Sequence, residues 1–341
     1  NTDGLLHEYD TPGTYYGALQ QQTLATIAAI QTPTLGVLHQ RYALLNAVME
    51  YDCNKFDNYN FCISAQARAT GFGTQATGAG VLNIAYRPMP QVHIGAFIDY
   101  QAAAGNPAIN GSPIAVTLNN GGVQYGYDNP TFGGYAGFSQ SGYSGNLVNT
   151  GLQVMVSGAY NPGKVSVTRA LIMNPYLPFV DAQPGSGNAS LNSSVIRGMV
   201  GYGIVLADRA TLMPYGGIRF TDVTRGAYME SFNALVTQPL AYNSFYERLL
   251  TGFGGAMLNG KLTDSFGAIL GLGVETDLTR YANSFNGYSP IAIEYLTSFG
   301  FDHGGTWNGL RPTANAGAYY DIAPNQRISL NGYAGQQAWT S

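Results

Sequence analysis

Apolar side chains recur at every second position between Val195 and Phe220. Ile196, Val200, Tyr202, Ile204 and Leu206 share one parity, and Arg197, Gly201 and Gly203 share the other. Side chains alternate across a strand, so this segment predicts one apolar face and one small or charged face. Ala207-Asp208-Arg209-Ala210 reads as the turn of a hairpin. After it, Gly216, Ile218 and Phe220 oppose Tyr215, Gly217, Arg219 and Thr221. The pattern returns over 266–277, where Ala268, Leu270, Leu272 and Val274 oppose Gly267, Gly271, Gly273, Glu275 and Asp277. It returns again over 311–322, where Pro312, Ala314, Ala316, Ala318, Tyr320 and Ile322 oppose Arg311, Thr313, Asn315, Gly317, Tyr319 and Asp321. In a soluble sandwich the apolar face would meet a second sheet. In a membrane barrel it would meet lipid, and the polar face would line a wet lumen.

Period two predicts strands over 61–73, 79–88, 91–101, 131–140, 150–171, 194–207, 211–224, 246–262, 266–279, 310–322 and 326–338. Within the fifth, Asn161-Pro162-Gly163-Lys164 is a turn signal, either a bulge or a true hairpin. Eleven strands follow, or thirteen if that turn is a hairpin and a further strand lies within 112–127. Barrels that close with both ends on one side need an even number, so one more downward strand is expected beyond this chain. The fold expected is all-β: an antiparallel up-and-down transmembrane barrel of twelve strands, or fourteen, whose last strand is missing here. Short turns alternate with long loops at 102–128, 172–192, 225–244 and 280–309. A sandwich has no reason to segregate loop lengths this way, whereas an outer-membrane barrel does.

The amino end differs. Residues 1–16 predict an irregular lead-in, in which His7, Glu8 and Asp10 read as a solvated linker with no further ligand at metal spacing. Residues 17–31 predict a helix that Pro33 interrupts. Thr34 can cap a second helix over 34–50, with Leu35, Leu38, Tyr42, Leu45 and Met49 at helical spacing. Residues 17–50 are thus expected to be a helical linker that threads or plugs the barrel formed by 51–341.

Composition narrows the choice. Charged residues make up 10% of the chain, against about 25% in ordinary soluble domains. Mean hydropathy is only -0.04, so the polarity comes from uncharged groups and glycine. The 45 glycines, 25 tyrosines and 2 tryptophans suit a pleated barrel with aromatic girdles. No apolar run is long enough for a transmembrane helix. No signal peptide is present, and Asn1 reads as a processed or truncated end. A net charge of -4 gives no reason to expect nucleic acid. Cys53 and Cys62 would suit one local disulfide in an oxidising compartment, and two unlinked thiols remain the alternative.

Catalytic signatures are missing. Gly137-Phe138-Ser139-Gln140-Ser141 lacks the last glycine of a nucleophile elbow. The glycine pairs at 252–254 and 271–273 fall inside strands, where they ease packing. His93 alternates with Val92 and Ile94 and reads as a solvated lumen histidine. No catalytic, cofactor or metal residue is assigned, and the chain is not expected to be an enzyme.

The order of a helical linker and then a barrel resembles the C-terminal translocator domain of the type V autotransporters, over residues 34–341. The wording is similar too: YDC…FCISAQARATGFG at 51–73, GAGVLNIAYRPMPQVHIGAFID at 78–99, GYGIVLADRATLMPYGGIRFTDVTRGAYME at 201–230, and LRPTANAGAYYDIAPNQRISLNGYAGQQAWTS at 310–341. The resemblance implies a twelve-stranded barrel spanned by its helix, and an upstream passenger that crosses the outer membrane of a Gram-negative bacterium with loops at the cell surface. It implies outer-membrane lipid, lipopolysaccharide, the passenger segment and the barrel assembly machinery as partners. The final aromatic-ended strand usual in the family is not found in this chain. Some relatives cut their linker inside the pore between asparagines, but Asn1 lies well before the helix.

Parity and the resemblance together nominate lumen residues facing the helix: Arg87, His93, Asp99, Arg197, Arg219, Glu275, Arg311 and Arg327. The leading expectation is a membrane anchor and translocator. A passive porin-like solute channel is the alternative. A third reading is a barrel enzyme or adhesin acting through loops 102–128, 172–192 and 280–309.

Overall fold

The computed structural model describes residues 12–72, 75–103, 108–109, 112–113, 122–125, 130–143, 150–169, 172–173, 180–182, 185–232, 238–293, 296–302, 306–307, 309–323, 326–336 and 339–340. The chain starts with helix α1 (Pro12–Val48). Eleven strands then close a barrel. They are β1 (Phe61–Phe72), β2 (Gln75–Met89), β3 (Val92–Ala103) and β4 (Thr131–Ser139). Next come β5 (Gly151–Asn161), β6 (Ser186–Ala207), β7 (Ala210–Arg225) and β8 (Phe245–Lys261). Last are β9 (Phe266–Ala282), β10 (Arg311–Ala323) and β11 (Gln326–Gly335).

Each strand pairs antiparallel with its sequence neighbour. An odd number of alternating strands cannot close antiparallel. The seam between β1 and β11 is accordingly parallel, from Ile63↔Gln326 to Phe72↔Gly335. The Asn161–Lys164 segment makes no hairpin. Residues Lys164–Thr168 continue the line of β5 and pair with the same strand, β6, at Ser186–Ser190. Proline cannot donate to the ladder, so Pro162 interrupts the strand without reversing it.

The alternation of the sequence becomes an inside and an outside. On β6, Ile196, Val200, Tyr202 and Ile204 are exposed, while Arg197 is buried. On β9 and β10, Leu272 is 72% exposed and Arg311 is 0% exposed. Aromatic residues ring the outer surface near both ends. Tyr100, Phe132, Tyr160 and Tyr281 lie toward the long connections, and Phe61, Tyr86, Phe138, Phe266 and Tyr320 lie toward the short turns. An apolar band with aromatic edges around a charged lumen is the surface that a bilayer covers. No helix among the described residues is long and apolar enough to cross a membrane.

Two expectations about the amino end need correction. The lead-in is not irregular to residue 16, because α1 already begins at Pro12; His7, Glu8 and Asp10 lie outside the described residues. Nor does Pro33 split the helix, which runs unbroken for 37 residues, about 55 Å. Thr34 is no cap: its hydroxyl donates to Ile30 O at 2.7 Å, inside the helix. The physical reason is packing. From Pro33 to Leu38 and from Arg41 to Met49 every residue is buried, and burial on all sides outweighs the lost amide and ring crowding of one proline. The five residues Leu35, Leu38, Tyr42, Leu45 and Met49 are buried, but so are Val37, Leu44 and Val48 on other faces. A helix surrounded on every side has no single apolar stripe.

The long connections carry structure of their own. Gly122–Tyr125 pairs with Lys164–Thr168. Tyr228–Met229, Ala241–Tyr242, Phe285–Ile293 and Leu296–Phe301 form a separate four-stranded sheet beyond the barrel. Together with Val180–Ala182 and Ala108–Ile109, these segments make a collar at the long-connection end of the barrel, where Gly122–Tyr125, Ala108–Ile109, Val180–Ala182 and Leu296–Phe301 contact α1.

Candidate functional site: the plugged lumen

Residues 34–49 of the helix segment lie inside the barrel, held by charged and polar groups of the inward parity. Tyr42 accepts from Arg219 Nη2 at 3.0 Å and shares a 3.1 Å hydrogen bond with Thr251. Behind it the charges form a chain: Arg219 Nη2 to Glu275 at 2.6 Å, Arg311 Nε to Glu275 at 3.1 Å, and Arg311 Nη1 to Asp277 at 2.9 Å. Buried charges are tolerable only when paired in this way. Arg197 Nη1 donates to Met49 O at 2.8 Å and pairs with Glu50 at 2.9 Å. A cation on the last carbonyls of a helix also opposes the negative end of its dipole.

Past the helix, the chain hugs one wall. Tyr51 donates to Asp99, which pairs with Arg68. The Asp52 carboxylate meets His93 Nε2 at 2.8 Å. Cys53 N donates to Tyr135 Oη at 2.9 Å. Cys53 and Cys62 are disulfide-bonded, so the linker is tied covalently to β1. Lys55 then pairs with Asp321 at 2.7 Å, and Arg327 bridges Asp321 and Asn54. Arg87 sits half-buried at this rim, donating to Asn60 and lying 5.1 Å over the Phe56 ring.

The collar has a polar core outside the barrel. Arg169 Nε and Nη2 both donate to Glu230 at 2.9 Å. Glu230 also accepts from Leu240 N and Tyr242 Oη. Gly185 is required here, because a Cβ would overlap the Glu230 carboxyl. Tyr242 stacks on Tyr228 at 4.6 Å, and the Arg225 guanidinium lies 4.9 Å over Tyr228. Burial pushes the Tyr242 phenol well above its ordinary value, and the Glu230 charge adds to the shift. Burial raises Tyr228 as well, against an opposing pull from Arg225. For Arg169 burial disfavours the cation, but its contacts with Glu230 more than offset this and hold it above its usual value.

The eight nominated lumen residues thus separate by depth. Arg197 and Arg219 touch the helix segment itself. Glu275 and Arg311 stand behind Tyr42. His93, Asp99 and Arg327 meet the linker at Asp52, Tyr51 and Asn54, and Arg87 meets it further on. Sequence reasoning missed Arg68, although it shares the inward parity of Cys62 and Ser64. It also missed Arg169 and Glu230, which no local period marks. Among the described residues no group of three or more His, Cys, Asp or Glu could hold a metal.

No protein-family model matches the sequence, and no curated protein matches it. Among solved structures, the fold is similar to the translocator domain of the autotransporter NalP from Neisseria meningitidis. The two share 15% identity with a TM-score of 0.46, over 73% of this chain and 70% of that one.

Proposed function

We propose that this chain is an outer-membrane β-barrel that anchors and translocates an amino-terminal passenger in a Gram-negative bacterium. The observation that carries the reading is the direction of α1. Its carboxy end is tied at the short-turn end of the barrel, and its amino half stands in the collar of long connections. A polypeptide attached ahead of Pro12 would therefore emerge on the collar side. Short turns face the periplasm and long loops the exterior in outer-membrane barrels, so that side is the cell surface.

The mechanism is physical. A closed sheet satisfies its backbone groups within itself, so it can stand in hydrocarbon while its polar lumen passes a chain. The helix then remains in the lumen as the anchor and the seal. No bond is made or broken in this reading. Lipid and lipopolysaccharide would cover the apolar band, and the barrel assembly machinery would insert it. A passive solute channel needs an open lumen, which the helix occupies.

The test fuses an unstructured epitope ahead of the chain and expresses it with an export signal. The reading predicts an epitope that intact cells expose to antibody and to added protease. An epitope protected until the outer membrane is broken would refute it.

A further inference from the structure

The helix and linker do not fill the lumen evenly. The linker is pinned to the wall of β1, β3 and β4 through Cys53, Asp52 and Tyr135. Below the end of the helix lies a cavity of about 160 Å³. Its lining includes Met49, Met155, Met199, Met213, Met257 and Ile269. Five of the chain's eight methionines thus face one space.

The strand register explains the cluster. Met155 lies opposite Met199, and Met213 opposite Met257, on adjacent strands β5, β6, β7 and β8. Directly opposed residues in a sheet project side by side. Gly201 leaves room for the Met213 thioether, which sits where a side chain would otherwise stand. The cations that border the space are already committed: Arg68 to Asp99, Arg197 to Glu50 and Arg327 to Asp321. Gln66, Ser329 and Asn331 supply uncharged hydrogen-bonding groups on the far side.

We propose that this methionine-lined cavity is a binding site for a small uncharged aromatic molecule. Its size suits one, because a cavity of about 150 Å³ is large enough to take up benzene. Its chemistry suits one, because thioether sulfur contacts aromatic ring edges favourably and unbranched methionine adapts to the guest. The paired charges leave no free cation for a carboxylate or phosphate. A hydroxyl on the guest would meet the amide side of the cavity. The guest would lie against Met49, so its occupancy and the seating of the helix would be linked. The site does not depend on the chain being a translocator.

The test is a fluorine NMR titration of the purified full chain in detergent micelles with 4-fluorobenzyl alcohol, with empty micelles as the blank. Saturable binding to one site is expected, and at least tenfold weaker binding of 4-fluorobenzoate. Met257→Trp should abolish the saturable component by filling the cavity. Met89→Leu, at the exposed end of β2, should leave it unchanged. If Met257→Trp does not fold, Ile269→Phe fills the same space from the neighbouring strand. No saturable component above empty micelles would overturn the proposal. So would saturable binding that survives the filled variant, or binding of the benzoate equal to that of the alcohol.

Discussion

Tyr42→Phe removes one oxygen from the plug and keeps its ring. That oxygen accepts from Arg219 at 3.0 Å and bonds Thr251 at 3.1 Å, and the residue is 4% exposed. A hydrogen bond to a charged group contributes about 1.5–3 kcal/mol, and a neutral one about 1 kcal/mol. The seat of the helix should therefore weaken by about 2–4 kcal/mol. At about 1.4 kcal/mol per factor of ten, undocking becomes roughly thirty-fold to several-hundred-fold more frequent. The Arg219 pair with Glu275 and its contact with the aromatic ring survive the substitution, so the barrel wall should hold. Hydrogen–deuterium exchange reads this opening directly. Amides of residues 34–49 should exchange faster by that factor, and those of β7 and β8 should not. Unchanged helix exchange, or acceleration confined to the strands, would refute the reasoning.

Three further predictions follow from the linker and the collar. Reducing the disulfide, or replacing Cys53 and Cys62 by Ser, frees a loop of separation 9 and should cost about 2–3 kcal/mol, seen as a lower thermal midpoint; an unchanged midpoint would refute it. Glu230→Gln strands the buried Arg169 cation and should destabilise the collar by about 3–5 kcal/mol. Limited proteolysis should then cut the collar connections while the barrel stays resistant, and resistant connections would count against the latch. For pH, the folded phenols of Tyr228 and Tyr242 are raised above the ordinary value of about 10. Their contribution is present below that value and is lost as pH rises toward the folded one. Alkaline titration should show late-ionising tyrosines that ionise together with collar opening, and their early titration with the exposed tyrosines would contradict this.

Much of the barrel was legible in the chain because period two needs no partner to be seen. The parity of Arg197, Arg219, Glu275 and Arg311 places them on the inner wall without any knowledge of the register. The pairing of those charges was not legible, since Arg219 and Glu275 are 56 residues apart and meet only through the closed sheet. The unbroken helix was missed for a related reason. Pro33 is a local breaker, and the packing that overrides it comes from distant strands. The collar was least legible. Its strands of two residues, such as Tyr228–Met229, are too short for any alternation, and Glu230 and Arg169 find each other across 61 residues.

The most direct measurement compares ion conductance of the intact chain with that of a variant lacking residues 12–48, both inserted in planar lipid bilayers. A lumen sealed by its own helix predicts little steady current from the intact protein and a large steady current from the variant. A large steady current from the intact protein, or equal currents from a correctly folded pair, would contradict the account.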